Sequence, residues 1–309
     1  MFISISIPAY KRSEYLKRLL HSISIQTYRE YEVIVTDDSP DDEVEKLCRQ
    51  YEGKLDLRYF RNQRTLGTPE NWNEAIRHAR GEWIKLMHDD DWFAGPESLR
   101  IYSDAVGKNP DVFFIFSAYK NVYLEKGSEN PVYLNSFRYR QLRRNPATLF
   151  SSNVIGPPSV VMFRNEKVFF DSTLKWLVDI EFYIRVLETR RSFYINTPLI
   201  NVGIGKEQVT QDCFRQRVIE IPEGFYLLNK IGVKCLRNIL VYDAWWRLMR
   251  NLKIEKKEDI IQSGYPGEIP RVILAMINWQ RKLPFFILNT GIFSKCTMLL
   301  NYILNFNKI

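Results

Sequence analysis

Histidine, cysteine and glycine-rich phosphate loops are scarce in this 309-residue sequence, and each scarcity excludes something. His21, His78 and His88 show no metal-ligand spacing, although His88 stands next to an acidic run and could reach a metal held there. Cys48, Cys213, Cys235 and Cys296 are scattered without a CxxC pair. That argues against a zinc ribbon or a disulfide framework and fits a reducing cytosol. Neither GxxxxGK[ST] nor GxGxxG occurs, which argues against an ordinary ATPase or a dinucleotide enzyme. "MFISISIPAY" lacks the basic n-region of a signal peptide and reads as a strand that begins at once. There is no low-complexity tract and no internal repeat.

What is present is a large potential core, with 45% hydrophobic and 14% aromatic residues, enough for one big domain or two smaller ones. The 26% of charged residues excludes a polytopic membrane protein. The net charge of +8 is unevenly placed. Residues 1–229 hold 31 basic and 31 acidic side chains, whereas residues 230–309 hold 13 basic and 5 acidic. The whole excess is C-terminal, which points to a second module facing something anionic.

Strand-like and helix-like patterns alternate through the first half. "FISISI" (2–7), "YEVIVTDD" (31–38), "LDLRYFRN" (55–62), "EWIKLM" (82–87) and "DVFFIFSAY" (111–119) read as strands. Between them, "SEYLKRLLHSISIQ" (13–26), "PDDEVEKLCRQYEG" (40–53), "TPENWNEAIRHARG" (68–81) and "GPESLRIYSDAVGKNP" (95–110) read as helices, the first with Ser13 as its N-cap. Such alternation predicts an α/β fold, a sheet covered by helices, whose ligands gather at the carboxyl ends of the strands. Three segments occupy such ends: "PAYKR" (8–12), "TDDSP" (36–40) and "HDDDW" (88–92). Residues 120–175 read as irregular, with "SSNVIGPPSVVMF" (151–163) returning to the sheet. "WLVDIEFYIRVLETR" (176–190) reads as a helix, and the pattern after residue 213 is helical. The expected division is a catalytic domain over residues 1–212 and a basic helical region over 213–309.

Asp89, Asp90 and Asp91 are the feature that most needs a partner. An isolated Asp triplet is usually a solvated loop with one member capping a helix. Here it follows a buried strand and faces a second acidic strand end, Asp37–Asp38. Adjacent carboxylates repel unless water or a cation lies between them. Clustered oxygens suit Mg²⁺ or Mn²⁺, ions that commonly bridge to substrate phosphates.

Three stretches together resemble glycosyltransferase family 2: "SISIPAYKRSEYLKRLLHSISIQTYREYEVIVTDDSPDD", "NQRTLGTPENWNEAIRHARGEWIKLMHDDDW" and "WLVDIEFYIRVL". The similarity, which extends to the bacterial surface-polysaccharide branch, covers about residues 3–205. It implies the GT-A fold and an inverting, nucleotide-sugar-dependent activity. It also implies roles for particular residues. Pro8 and Tyr10 would pack against the nucleotide base and Asp38 would hydrogen-bond it. Gly67 would keep the neighbouring loop open, and Asn71 and Asn73 would border the nucleotide. Asp89 would lie near the ribose and Asp90 would ligate Mn²⁺ or Mg²⁺, with Asp91 adding a carboxylate to the metal's surroundings. Many relatives have Arg where this sequence has Trp72, so no Arg contact to the nucleotide is expected there. Asp179 takes the place of the catalytic base, since an inverting attack needs a carboxylate to accept the acceptor's proton. Glu181 is the fallback, and the bland alternative for Asp179 is a surface pair with Lys175 or Arg185. Lys206, in "GIGKEQVTQ" (203–211), could reach the diphosphate.

The function implied is transfer of a hexose or N-acetylhexosamine, from a UDP-sugar first of all, to a saccharide or lipid-linked acceptor. A nucleotidyltransferase forming sugar nucleotides would use similar carboxylates but wants a glycine-rich first loop, and "PAYKRSEYL" has no glycine. A nucleic-acid-binding protein would use the basic C-terminus, yet no aromatic–basic binding motif is present there. For residues 230–309 the expectation is docking on the anionic inner face of a membrane. No apolar run there reaches the roughly 18–20 residues of a spanning helix. The alternative is a helical subdomain packed on the catalytic domain or pairing two chains.

Overall fold

A computed structural model describes residues 1–205 and 215–309; the expectation for Lys206 lies outside the described residues. Two units emerge. The first takes Met1–Arg144, Val154–Thr173 and the chain from Glu181 through the last strand. The second takes Asn145–Asn153, Leu174–Ile180 and the C-terminal helices.

In the first unit β1 (Ile3–Ala9), α1 (Ser13–Ser24), β2 (Tyr31–Asp37), α2 (Glu43–Arg49), β3 (Leu57–Arg61), α3 (Glu70–His78) and β4 (Trp83–Leu86) alternate as the pattern predicts. They are followed by β5 (Trp92–Phe93), α4 (Ser98–Lys108), β6 (Phe114–Tyr123), β7 (Ser128–Val132), α5 (Ser136–Arg144), β8 (Val161–Arg164), α6 (Val178–Leu187), whose first three residues belong to the second unit, and β9 (Ser192–Ile204). Among the described residues nine strands form one mixed sheet, ordered β3-β2-β1-β4-β8-β6-β9-β5, with β7 paired to β6. β1 runs parallel to β2 and β4, and β2 runs parallel to β3. β8 is antiparallel to both β4 and β6.

Both faces of β1 and β2 are buried, although β1 alternates isoleucine with serine and β2 carries Glu32. The serines of "ISISI" are therefore not a solvent face. Ser4 donates to Glu32 Oε1 at 2.7 Å and accepts from the Gly81 amide at 2.7 Å, while Arg58 pairs with Glu32 at 2.7 Å. At Ser4 the buried polar strip is tolerable because its groups are paired, whereas the buried Ser6 hydroxyl has no partner among the described residues.

The expected irregular region, 120–175, contains more order than its pattern suggests. β7 forms a hairpin with β6, and α5 follows it. The expected Ser13 cap is also different. Arg12 occupies the N-cap of α1 in the left-handed region (φ 48°, ψ 44°) without a side-chain cap, and Ser13 Oγ instead donates to Glu43 at 3.2 Å.

The second unit holds α7 (Arg217–Ile231), α8 (Ile239–Asn251), α9 (Lys257–Gln262), α10 (Arg271–Arg281), α11 (Phe285–Asn289) and α12 (Gly291–Asn305). On α8, Val241, Tyr242, Trp245, Trp246 and Met249 form a helical-period stripe, packed with Ile221 and Phe225 of α7 and Val272 and Met276 of α10. Among these residues Glu223 is a buried anion. Its carboxylate accepts the amides of Lys175 (2.7 Å), Trp176 (2.9 Å) and Leu177 (2.8 Å), directly ahead of α6. It thereby orders the backbone of the segment that leads into α6.

Candidate functional site

β1 and β2 finish in register at Ala9 and Asp37, and the chain leaving each carries the predicted residues to one edge of the sheet. Asn71, buried on the first turn of α3, donates to the carbonyls of Ala9 and Thr36 at 3.2 Å each and so joins the two strand ends. Asp38 accepts from Asn62 Nδ2 (2.7 Å), Leu66 N (3.0 Å) and Gly67 N (2.8 Å). That network shapes the loop at Gly67, whose φ of 72° favours glycine. Asn73 points elsewhere within the unit, exchanging hydrogen bonds with the Phe170 backbone at 2.9 and 2.8 Å. Pro8 is buried in β1 opposite Thr36, while Tyr10, two residues on, is 44% exposed.

The turn between β1 and α1 is backbone-strained. Lys11 and Arg12 are consecutive non-glycine residues at positive φ (57° and 48°), a cost that persists only where the surroundings enforce it. Here they do. The Lys11 amide donates to Ser39 Oγ at 2.7 Å, and the Arg12 guanidinium reaches Asp90 at 3.3 Å and Asp89 at 3.7 Å. A nucleotidyltransferase would want glycine in this turn; the chain uses it to hold a cation over two carboxylates.

Asp89 and Asp91 are buried and Asp90 is partly exposed. Burial pushes the Asp89 carboxyl up to about 7, opposed by Arg12 and reinforced by Asp90. Burial and then the Asp90 charge push Asp91 well above the carboxylate range, although Ser159, the Gly203 amide (3.1 Å) and Lys85 support its ionised form. Gly203 of β9 lies so close to the Asp90 carbonyl that a Cβ there would collide with it, and Arg18 donates to the same carbonyl at 2.8 Å. β9 and α1 thus fix the acidic turn from two sides.

His88 joins this cluster. Its amide donates to Ser159 Oγ at 2.9 Å, and its ring lies 4.6 Å from that of Trp72. Its Nε2 is buried without a hydrogen-bond partner, and burial lowers the ring to about 4, so it is a neutral imidazole. One donor atom each from His88, Asp90 and Asp91 lies within 4.8 Å of the others. One imidazole and two carboxylates gathered at this spacing, with a buried nitrogen of the imidazole left without a partner, fit a divalent cation of the Mn²⁺ or Mg²⁺ type. In the sequence Asp90 and Asp91 form the expected metal pair, and His88 has no ligand spacing. Only adjacency in the chain hinted at it.

Asp179 lies in the second unit, in the first turn of α6, and is half-buried. It pairs with neither Lys175 nor Arg185. Its carboxylate accepts from Asn153 Nδ2 and from the Ile180 amide, each at 2.8 Å. Burial outweighs these bonds and pushes it up to about 6. Glu181, nearly inaccessible, is gripped by Arg185 at 2.7 and 3.1 Å. The buried Glu223, which orders the segment leading to Asp179, had no signal in the sequence.

Comparison with known proteins agrees with this geometry. Residues 4–170 match the family described as Glycosyl transferase family 2. An uncharacterized glycosyltransferase of Haemophilus influenzae is 26% identical over 204 residues, covering 64% of this chain and 66% of that protein, just under two thirds of its length. Staphylococcus aureus TarS 1–349, solved in complex with UDP-GlcNAc, superposes with a TM-score of 0.57 at 18% identity, over 97% of this chain and 79% of that one. The mannosyltransferase PcManGT of Pyrobaculum calidifontis, solved with GDP-Man and Mn²⁺, gives 0.55 at 14% identity over 98% and 86%. The sheet is of the GT-A kind, with a helical C-terminal region. With its matched segment spanning more than half its length, the chain belongs to glycosyltransferase family 2.

Proposed function

We propose that this protein is an inverting glycosyltransferase that moves a hexose or N-acetylhexosamine from a UDP-sugar to a saccharide or lipid-linked acceptor in cell-surface polysaccharide synthesis. The observation that carries this reading is the convergence, at the carboxyl ends of β1, β2 and β4, of the loop ordered by Asp38, the exposed Tyr10 ring and the cluster of His88, Asp90 and Asp91. Tyr10 stacks on the base, and the Gly67 loop leaves the backbone accessible beside it. Asp89 serves the ribose. His88, Asp90 and Asp91 would hold Mn²⁺ or Mg²⁺, which when bound supplies neutralisation of the departing diphosphate. Arg12, already facing Asp89 and Asp90, contributes a further positive charge. Asp179 receives the proton of the attacking hydroxyl, a role that the family resemblance implies and that suits a carboxyl poised at about 6. The location in this reading is cytoplasmic.

Uridine is preferred because TarS was solved with UDP-GlcNAc; guanosine is the competitor because PcManGT was solved with GDP-Man. A thermal-shift panel of UDP, GDP, ADP, CDP and dTDP, with and without Mn²⁺, tests both base and metal. Stabilisation by UDP that depends on Mn²⁺ is expected. No stabilisation by any nucleotide would overturn the transferase reading, and stabilisation by GDP alone would replace the donor.

A further inference from the structure

α12 is built inside out. Its buried positions are Ser294, Met298, Asn301 and Asn305, three of them polar. Its exposed positions include Ile292 (76% exposed), Phe293, Leu299, Leu300, Ile303 and Leu304 (64%). At ~100° per residue the apolar side chains fill an arc of about 140°, and the buried polar ones cluster on the opposite side. A soluble surface helix has the reverse arrangement.

The orientation is held by specific bonds. Asn301 Oδ1 accepts from Tyr242 OH at 2.6 Å. Ser294 Oγ accepts from Trp246 Nε1 at 3.2 Å and from Arg250 Nη1 at 3.1 Å. Rotating the helix to hide its leucines would break all three and strand buried polar groups on α8. The apolar face therefore stays outward, and Phe286 of α11 and Phe306 beyond α12 are exposed as well. Isolated surface hydrophobics need no explanation, but a contiguous patch of this kind does.

Charge identifies the occupant. Residues 271–309 contain Arg271, Arg281, Lys282, Lys295 and Lys308 and not one Asp or Glu. All five cations are exposed, and Lys295 stands at the edge of the apolar arc. A second copy set against this face would bring lysines together with no carboxylate to receive them. An anionic bilayer supplies both the apolar medium and the opposite charge. At 15 residues α12 rises only about 22 Å, short of the ~30 Å hydrocarbon core. Among the described residues no helix is long and apolar enough to cross a membrane. We propose that α12 lies flat in the headgroup region of an anionic membrane, with Ile292, Leu300, Ile303 and Leu304 in the acyl boundary and Lys282 and Lys295 on the phosphates.

Co-sedimentation of the full chain with phosphatidylcholine vesicles, with and without phosphatidylglycerol, tests this without any donor or acceptor. Its outcome is therefore independent of the glycosyltransferase reading. The wild type should pellet with phosphatidylglycerol vesicles at low salt and partition at least about tenfold less to phosphatidylcholine alone. Leu300→Asp should lower partitioning by about 10- to 100-fold, the equivalent of one buried leucine, with the circular dichroism spectrum unchanged. Ile303→Asp provides an independent position should the first variant fold poorly. Lys282→Gln combined with Lys295→Gln should reduce it by about 30-fold. Absence from both vesicle types, equal binding to both, or an unaffected pair of Asp variants overturns the proposal. So does a concentration-dependent dimer that Leu300→Asp dissociates, which would assign the face to a second copy.

Discussion

Replacing Glu223 by Gln changes one atom and removes one charge, and the structure sets what should follow. The carboxylate takes three backbone amides, from Lys175, Trp176 and Leu177, at 2.7 to 2.9 Å. Hydrogen bonds to a charged group contribute ~1.5–3 kcal/mol each. Glutamine keeps one acceptor oxygen and turns an NH₂ toward donors, so at least one of the three bonds is lost. The favourable placement of an anion at the start of α6 is lost as well. Relief of the carboxylate's desolvation offsets part of this. The net expectation is destabilisation by about 2–4 kcal/mol, or a fall in Tm of roughly 5–10 °C for a chain of this size. Because the loosened segment carries Asp179, kcat should fall while the KM for donor holds. Glu258→Gln, on an exposed first turn of α9, is the control and should stay within about 0.5 kcal/mol. Differential scanning calorimetry and steady-state kinetics read both quantities. If Glu223→Gln matched the control in stability and turnover, the view of Glu223 as the anchor of this segment would be wrong.

Asp90→Ala should abolish transfer and remove Mn²⁺-dependent stabilisation by UDP while leaving the Tm of the unliganded protein within a few degrees; retained Mn²⁺ dependence would overturn the metal assignment. Asp179→Asn should preserve donor affinity and lower turnover by about 10²–10⁴-fold, as loss of a general base does; near-normal turnover would move the role elsewhere. A base must be ionised, and burial lifts Asp179 to about 6, so kcat should decline as the pH drops through about 6, and the Asn variant should lose that limb of the profile. Tyr10→Ala should raise the donor KM by about 5- to 100-fold, the effect of losing one base stack worth ~1–3 kcal/mol; an unchanged KM would leave the exposed ring without a ligand.

The elements legible in the sequence are those whose burial is regular. β2 and β4 are central strands with short apolar runs, β1 alternates isoleucine with serine, and α1, α3 and α4 carry one apolar face, so period and length identify them. β7, "SENPV", and α5, "SFRYRQLRR", have almost no buried side chains, with only Leu142 buried on α5. Without a buried face there is no periodicity to read. β9 is obscured differently. Its pairing with β6 jumps from Ile195 to Pro198, and the irregularity interrupts the alternation of "SFYINTPLINVGI". α7 contains Pro222 and Gly224, and the helix runs through both. Gly224 is matched to a tight approach, since a Cβ there would lie 3.3 Å from Leu248.

The same distinction separates what could be foreseen of the site from what could not. Asp38 and Asp89–Asp91 were visible because acids after an apolar strand are costly unless used. Glu223 was invisible because its meaning lies in amides 46 to 48 residues away, and His88 was marked only by standing beside the acidic run, its buried, partnerless nitrogen being a property of the fold. α12 sharpens the point. Apolar content alone cannot say which way a helix faces, and counting hydrophobic residues would bury Leu300 and Ile303 and expose Asn301. The three hydrogen bonds from α8 reverse that assignment. Turning the leucines inward would expose Asn301 and Ser294 and leave the Tyr242 hydroxyl and the Trp246 indole N–H buried without their acceptors, which opposes that rotation. In the docking proposed above, the outward leucines find their apolar neighbour in a bilayer, and the absence of any acid in residues 271–309 is what favours an anionic one.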